Sequence, residues 1–329
     1  MILVTGGAGF LGSNLVAALE RRGAGDIVVC DRLGCDDKWR NIARRELAGV
    51  VPPEGIREFL HGRDGARVEA VVHMGAISST TERDADLFVR DNIALSLALW
   101  DWCTERRVRF LYASSAATYG DGSAGFDDAM TPEALARLRP LNAYGWSKHA
   151  VDRRIARLVA RGEPAPPQWA GLKFFNAYGP NEYHKGDMAS LISRLYPQVA
   201  AGAPARLFKS YRPDYPDGGQ QRDFVWVDDC VAVMLWLLDR PDVTGLFNVG
   251  SGAARSWLDL AHAVFAAIGR TPAIEFIDMP ESLRPKYQYF TEAPIDRLRA
   301  AGFDRPMTPL EDGVAAYVRG YLAAEDPYR

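Results

Sequence analysis

The sequence predicts an α/β chain in which a doubly wound parallel sheet carries a smaller, discontinuous α/β lobe. Three features predict it. An apolar strand at residues 2–5 runs straight into a glycine-rich turn and a helical pattern. Strands and helices then alternate as far as about residue 175. Beyond that point, shorter helical patterns at 188–201, 228–239, 256–268 and 309–324 are separated by Pro-, Gly- and Asp-rich loops. With 329 residues, 48 % of them hydrophobic, the chain can bury a substantial core and is long enough for two structural units. The first is expected to take residues 1–175 with a return at about 218–250, and the second 176–217 and 251–329.

The first unit starts with Ile2-Leu3-Val4-Thr5, followed by Gly6-Gly7-Ala8-Gly9-Phe10-Leu11-Gly12 and a helix to about Arg22. Glycines at 6, 9 and 12, or at 7, 9 and 12 in the Gly-x-Gly-x-x-Gly register, supply a tight turn, a close approach of backbone to pyrophosphate and a helix that packs on the sheet. The helix N-terminus then offers amides and the positive end of its dipole to the phosphates. A second strand, Ile27-Val28-Val29-Cys30, ends at Asp31, 19 residues after Gly12, where a carboxylate accepts from an adenosine ribose. This arrangement is a Rossmann-type dinucleotide site. Asp31 alone indicates NAD, but Arg32 and Lys38 can neutralise a 2′-phosphate, so the expected cofactor is NADP.

The next strand, Val68 to His73, leads into Met74-Gly75-Ala76-Ile77-Ser78, a small-residue loop along which a cofactor can lie. A helical pattern from Asp84 to Arg106 contains Asn92. The strand Arg109 to Ala113 then delivers Ser114-Ser115-Ala116-Ala117-Thr118-Tyr119-Gly120 at its carboxyl end, the edge where doubly wound sheets bind ligands. Ser115 there is either a plain turn former or a site hydroxyl.

A helical run beginning near Asn142 carries Tyr144 and Lys148, whose i, i+4 spacing puts a phenol and an ammonium on one face. A phenol is only about 0.1 % ionised at neutral pH, so its use as a proton acceptor needs a shift of roughly three units, or about 4 kcal/mol. An ammonium ~4 Å away contributes about 1 kcal/mol in water and about 4 kcal/mol at an effective dielectric near 20. The pair therefore works only in a shielded cleft. Only six of the 39 basic residues are lysines (38, 148, 173, 185, 209 and 286), so a lysine in this arginine-rich chain marks a need for a compact, proton-releasing cation. After the strand Gly171 to Phe175 comes a polar stretch from Asn176 to Asp187 that contains His184-Lys185. The turn-rich loop 210–222 is either a lid or a surface loop.

Other functions are excluded by the bulk numbers. A net charge of −3 with dispersed basic residues gives no nucleic-acid surface. Four cysteines without Cys-x-x-Cys spacing suit reduced thiols, and five scattered histidines offer no metal pair, so no metal is expected. With a strand already at residue 2 and no run of 18 apolar residues, a cytoplasmic protein that neither spans nor binds a membrane is expected.

The glycine turn, the Ser114–Gly120 segment, Tyr144-x-x-x-Lys148 and Arg222-Asp223-Phe224-Val225 occur in the order found in the extended short-chain dehydrogenases/reductases, which the chain resembles over nearly its whole length. Within that superfamily it looks most like the ADP-L-glycero-D-manno-heptose 6-epimerases. The resemblance rests on Gly75-Ala-Ile-Ser-Ser-Thr-Thr-Glu82, Phe110 to Gly120, Tyr287-Gln-x-Phe-Thr291 and, most specifically, His184-Lys-Gly-x-Met-Ala-Ser190. It implies NADP, a nucleotide-sugar substrate, a homopentamer and a role in lipopolysaccharide core heptose synthesis.

Carried over by position, the resemblance makes Tyr144 the catalytic tyrosine, Lys148 its ribose-binding partner, Lys185 a second acid/base and Ser115 a hydrogen-bond donor to the reacting oxygen. It places Gly6, Gly9, Phe10, Leu11, Gly12, Asp31, Arg32, Lys38, Met74, Gly75, Ala76, Ile77, Ser78, Asn92, Ala177 and Lys185 on the cofactor with Tyr144 and Lys148. Asn176, Asp187, Arg194, Phe208, Arg222 and Tyr287 fall on the substrate with Ser115. Departures are Asp187 where serine is usual, Arg194 for histidine, Met74 for a commoner glutamate and a longer 210–222 loop. Related dehydratases carry Asp-Glu beside the catalytic Ser/Thr, where this chain has Ala116-Ala117, which argues against dehydration. A UDP-hexose 4-epimerase shares nearly all the machinery and is the alternative enzyme; a silent NADP-binding module is the alternative of another class.

Overall fold

In a computed structural model, the chain is described for residues 1–281, 283–284 and 287–329. Its strands, in chain order, are β1 (Ile2–Thr5), β2 (Ile27–Cys30), β3 (Gly49–Val51), β4 (Ala70–His73), β5 (Arg109–Ser115), β6 (Trp169–Phe174), β7 (Asn176–Tyr178), β8 (Ala205–Phe208), β9 (Gln221–Trp226), β10 (Gly245–Val249), β11 (Ala254–Ser256) and β12 (Ile274–Ile277). Seven of them form a parallel sheet in the order β10-β6-β5-β4-β1-β2-β3. The order reverses between β1 and β4, so a crevice opens beyond their carboxyl ends, where the connections leave in opposite directions.

Both faces of this sheet are covered, which is why its central strands are continuous apolar runs. Side chains alternate with the pleat. Val4, Val29, Val72 and Leu111 pack with Leu15, Val16 and Leu19 of the first helix (Phe10–Arg21) and with Val233, Met234 and Leu237 of the helix Val227–Asp239. Leu3, Val28, Val71 and Phe110 point the other way, onto Leu99, Trp100 and Cys103 of Leu95–Arg106 and onto Val151 and Ile155 of Ala143–Ala160.

The smaller lobe holds a three-stranded sheet, β11-β9-β7, and the parallel pair β12-β8. Its own core joins Ile192, Leu195 and Val199 of the helix Leu191–Ala200 to Leu207, Phe224, Val264, Phe265, Val314 and Tyr317. The strand β9 belongs to this small sheet, whereas the helix that follows it packs on the large one.

One expectation needs correction. The helix expected over Asp84–Arg106 is three pieces, Ala85–Phe88, a wide π turn at Val89–Ala94 and Leu95–Arg106, and the wide turn holds the buried Asn92. The 210–222 loop reaches the walls of the cavity described below at Arg222. Within the loop the Ser210 amide donates to Asp217, and to the rest of the lobe the Tyr211 amide donates to the Tyr289 hydroxyl while the Arg212 guanidinium lies over the Tyr289 ring.

Candidate active site

A cavity of about 1200 Å³ fills the crevice between sheet and lobe. Its first wall is the turn after β1. Gly6 takes φ +64, and its carbonyl accepts from the Gly9 amide at 2.9 Å. A Cβ on Gly12 would lie 2.1 Å from the Gly6 oxygen, and one on Gly6 would lie 2.5 Å from the Gly75 amide. The glycines thus let three stretches of backbone meet beneath the helix N-terminus, a cradle that fits a dinucleotide pyrophosphate. Phe10 and Leu11 continue this wall.

At the end of β2, one Asp31 oxygen accepts from the Ala8 amide at 2.9 Å and the other from the Lys38 ammonium at 2.7 Å. Both residues line the cavity. Arg32 does not: it turns away to Glu54 and Asp91.

The loop after β4 closes the floor through Met74, Gly75, Ala76 and Ser78. Below it, His73 bridges Thr5 and Ser96, and burial pushes its imidazole down to about 3. Ile77 and Asn92 lie behind the wall. Asn92 exchanges two hydrogen bonds with the Ile77 backbone and donates to the Ser147 hydroxyl at 2.9 Å, which itself donates to the Tyr144 carbonyl. Asn92 thereby ties the cofactor-side loop to the helix of Tyr144.

That helix is capped by Asn142, whose side chain accepts from the Gly145 amide at 2.8 Å. A Cβ on Gly145 would lie 2.6 Å from the Ala117 carbonyl, so glycine lets the helix abut the turn Ala116–Tyr119. This contact brings Tyr144 to Ser115. The Ser115 hydroxyl accepts from the Ala117 amide at 3.1 Å, and its closeness favours ionisation of the Tyr144 phenol.

Burial raises the Tyr144 phenol above its ordinary range, and the Ser115 contact offsets this only in part. Burial is the larger influence because removal from water penalises the charge of the phenolate. Lys148 is itself buried and donates to the Ala113 carbonyl at 2.8 Å; burial pulls its ammonium down to about 8 while Asp152 holds it up.

The opposite wall comes from the segment after β7. Lys185 sits on the 3-10 turn Tyr183–Met188, with its ammonium 5.0 Å above the Phe10 ring. Burial lowers its affinity for a proton, and Glu182 opposes that. Asn176, Ala177 and Arg194 line the cavity as well; Asp187 is exposed outside it. At the far end, the Arg222 guanidinium lies 5.3 Å over Tyr287 and 5.8 Å over Trp257. Phe208 stands behind, edge-on to Tyr287 at 6.4 Å. His184 and Met188, from the segment that carries the most specific resemblance but given no role there, are wall residues, as is Trp257, for which sequence reasoning gave no signal.

One cavity thus holds a glycine-lined turn that fits a pyrophosphate, a phenol and a serine hydroxyl on one wall, and two lysines whose protons are loosened by burial, a set suited to moving protons beside a redox cofactor. The model of the NAD dependent epimerase/dehydratase family matches residues 2–250. The chain belongs to that family. Its nicotinamide dinucleotide fits the cradle formed by Gly6, Gly9 and Gly12.

Among the relatives within this family is the ADP-L-glycero-D-manno-heptose-6-epimerase of Nitratidesulfovibrio vulgaris strain DP4, 54 % identical over 329 residues and all of both chains. The Fusobacterium nucleatum protein of the same name is 44 % identical over the full length of both. Of solved structures, the Helicobacter pylori ADP-L-glycero-D-manno-heptose-6-epimerase superposes with a TM-score of 0.77 at 24 % identity, covering 98 % of this chain and 96 % of that one. The Thermus thermophilus UDP-glucose 4-epimerase complexed with NAD gives 0.75 at 26 %, covering 98 % and 99 %.

Proposed function

We propose that this enzyme inverts carbon 6 of ADP-D-glycero-D-manno-heptose to give ADP-L-glycero-D-manno-heptose, by transient oxidation and reduction within one active site, in lipopolysaccharide core heptose synthesis. The observation that carries the reading is Lys185, from the His184–Ser190 segment, in the same cavity as Tyr144, Lys148 and Ser115. Full-length relatives at 54 % and 44 % identity named for this reaction support it.

Inversion requires a proton to be taken and returned on two faces of one carbon, which a single tyrosine reaches poorly. Tyr144 and Lys185 divide these transfers between them. One accepts the hydroxyl proton at carbon 6, and the other serves the sugar after the ketone has turned over. Ser115 donates to the reacting oxygen, and Lys148 binds the cofactor ribose. A nicotinamide dinucleotide held by the Gly6–Gly12 turn and Lys148 would supply the reversible hydride acceptor that inversion at carbon 6 requires. The positive charge of its oxidised ring favours the Tyr144 phenolate that burial disfavours. Arg222 and Tyr287 hold the nucleotide part of the substrate, with Phe208 behind them and Asn176 and Arg194 nearer the sugar; Asp187, exposed outside the cavity, takes no part.

NADP is the preferred dinucleotide. Lys38 already neutralises Asp31, so the ribose end offers a cation rather than a free carboxylate. Arg32, half exposed, would have to leave its ion pairs with Glu54 and the largely buried Asp91 to reach a 2′-phosphate. We assign residues 1–175 and about 218–250 to cofactor binding and 176–217 with 251–329 to the substrate, in a cytoplasmic homo-oligomer, a pentamer by resemblance. Four free thiols suit that compartment. No helix among the described residues is long and apolar enough to cross a membrane.

The reading is tested by incubation with ADP-D-glycero-D-manno-heptose without added cofactor, followed by NMR of the sugar, with UDP-galactose in parallel. Inversion at carbon 6 is expected. Turnover of UDP-galactose alone would replace this reading with the hexose 4-epimerase.

A further inference from the structure

Directly beneath the catalytic groups lies a set of buried charges that the mechanism above does not use. Lys173 on β6 and Asp152 on the Tyr144 helix form an ion pair at 3.2 Å with both side chains fully buried. The pair is completely furnished with partners. Asp152 accepts from the Tyr112 hydroxyl at 3.1 Å and the Ser114 hydroxyl at 2.7 Å. The Lys173 ammonium donates to the Thr118 hydroxyl at 2.6 Å and sits 4.4 Å over the Tyr119 ring. Thr118 in turn donates to the Ser115 carbonyl at 2.8 Å.

Such a pair is a poor way to stabilise a core. Taking two charges out of water costs several kcal/mol each, and well-packed apolar residues of similar volume generally serve as well or better. What apolar residues cannot do is hold three catalytic elements in register through directed hydrogen bonds. Here the helix of Tyr144 and Lys148, the end of β5 that carries Ser114 and Ser115, and β6 all meet on one carboxylate and one ammonium.

We propose that Asp152 and Lys173 are positioning residues for the epimerisation: Asp152 keeps the Lys148 ammonium charged, and Lys173 sets the Ser115 hydroxyl against Tyr144 through Thr118. Asp152 follows Lys148 by one helical turn. The other ionisable groups around that turn are His73 on β4, Tyr112 on β5, Tyr119 in the turn after it, Tyr144 and His149 on the helix itself, Lys173 and Asp128. Burial keeps both imidazoles neutral and all three phenols protonated, and Asp128 bears on Lys173 and Tyr119 rather than on Lys148. Asp152 is therefore the negative charge that opposes the burial of Lys148. Lys173 acts mechanically: its bond to Thr118 fixes the turn Ala116–Tyr119, against whose Ala117 carbonyl Gly145 is pressed.

This inference rests on the epimerase reading for its activity arm, so the experiment has a second arm that does not. Only six lysines occur in the chain, so the Lys148 ammonium can be followed by NMR in lysine-labelled protein with its cofactor bound. In Asp152→Asn the Lys148 titration should move to lower pH by about one unit, since an opposite charge nearby shifts a pKa by about one to three units. In Lys173→Met it should stay nearer the wild-type value. Both variants should lose about ten-fold in kcat with KM changed less than two-fold, because neither side chain lines the cavity, and the alkaline limb of the rate profile should move only in Asp152→Asn.

Where a single variant leaves a buried charge unpaired and fails to fold, Asp152→Asn/Lys173→Met removes both charges together. It should fold and show the same lowered Lys148 titration. A Lys148 titration identical in the wild type and the Asp152 variants overturns the proposal, as does wild-type kcat in all of them. A wild-type enzyme inert toward ADP-heptose would instead overturn the functional reading, with the titration still deciding the role of Asp152.

Discussion

The sharpest consequence of the fold concerns Gly12→Ala. The added methyl carbon would lie 2.1 Å from the Gly6 carbonyl oxygen, 2.8 Å from its carbon and 2.9 Å from the Gly7 Cα, all backbone atoms of the turn assigned to the pyrophosphate. An ordinary contact needs more than 3 Å, so the turn or the first helix must retreat by about 1 Å. Overpacking of this kind costs about 1–3 kcal/mol. Expressed in cofactor affinity, that is roughly 5- to 150-fold. Dinucleotide titration by calorimetry should therefore place Gly12→Ala well below wild type in affinity. If Gly12→Ala bound within two-fold of wild type, the assignment of this turn to the pyrophosphate would be wrong.

Lys185→Met should abolish inversion at carbon 6 while the bound cofactor is retained; unchanged epimerisation refutes the two-base scheme. Lys38→Met removes the cation on Asp31, and NADP affinity should fall about ten-fold or more while NAD affinity holds or rises, with an equal loss of both as the contrary result. Stability should fall in acid. His73 and His149 are buried and neutral with pKa values of about 3 and 4, so below about pH 6.5 the unfolded chain binds protons that the native state refuses. Each then contributes a loss of at most about 1.4 kcal/mol per pH unit until its folded pKa is reached. Urea titrations at pH 7 and 5 check this, and a midpoint independent of pH over that range contradicts it.

The dinucleotide half was legible because its chemistry is local. Gly6 to Gly12, Asp31 and the Tyr144–Lys148 turn are each defined by spacing along a single element, and such spacings survive into three dimensions unchanged. The parallel sheet followed from the same logic, since apolar strands alternating with helices have few ways to bury both faces. Arg32 was less legible. Its neighbours in sequence suggested a phosphate ligand, but the structure engages it with Glu54 and Asp91, 22 and 59 residues away.

The chain's sequence alone therefore determined the fold class, the cofactor cradle and the catalytic tyrosine–lysine candidates, because each is written in a period or a short motif. Tertiary structure decided how those groups are held. Asn92 fastens a loop to a helix 55 residues on, Gly145 seats Tyr144 against Ser115, and Asp152 meets Lys173 from a different element. Such contacts form between residues distant in the chain, and burial then alters their charges. No spacing in the sequence shows that burial opposes ionisation of Tyr144 once its helix closes on the sheet.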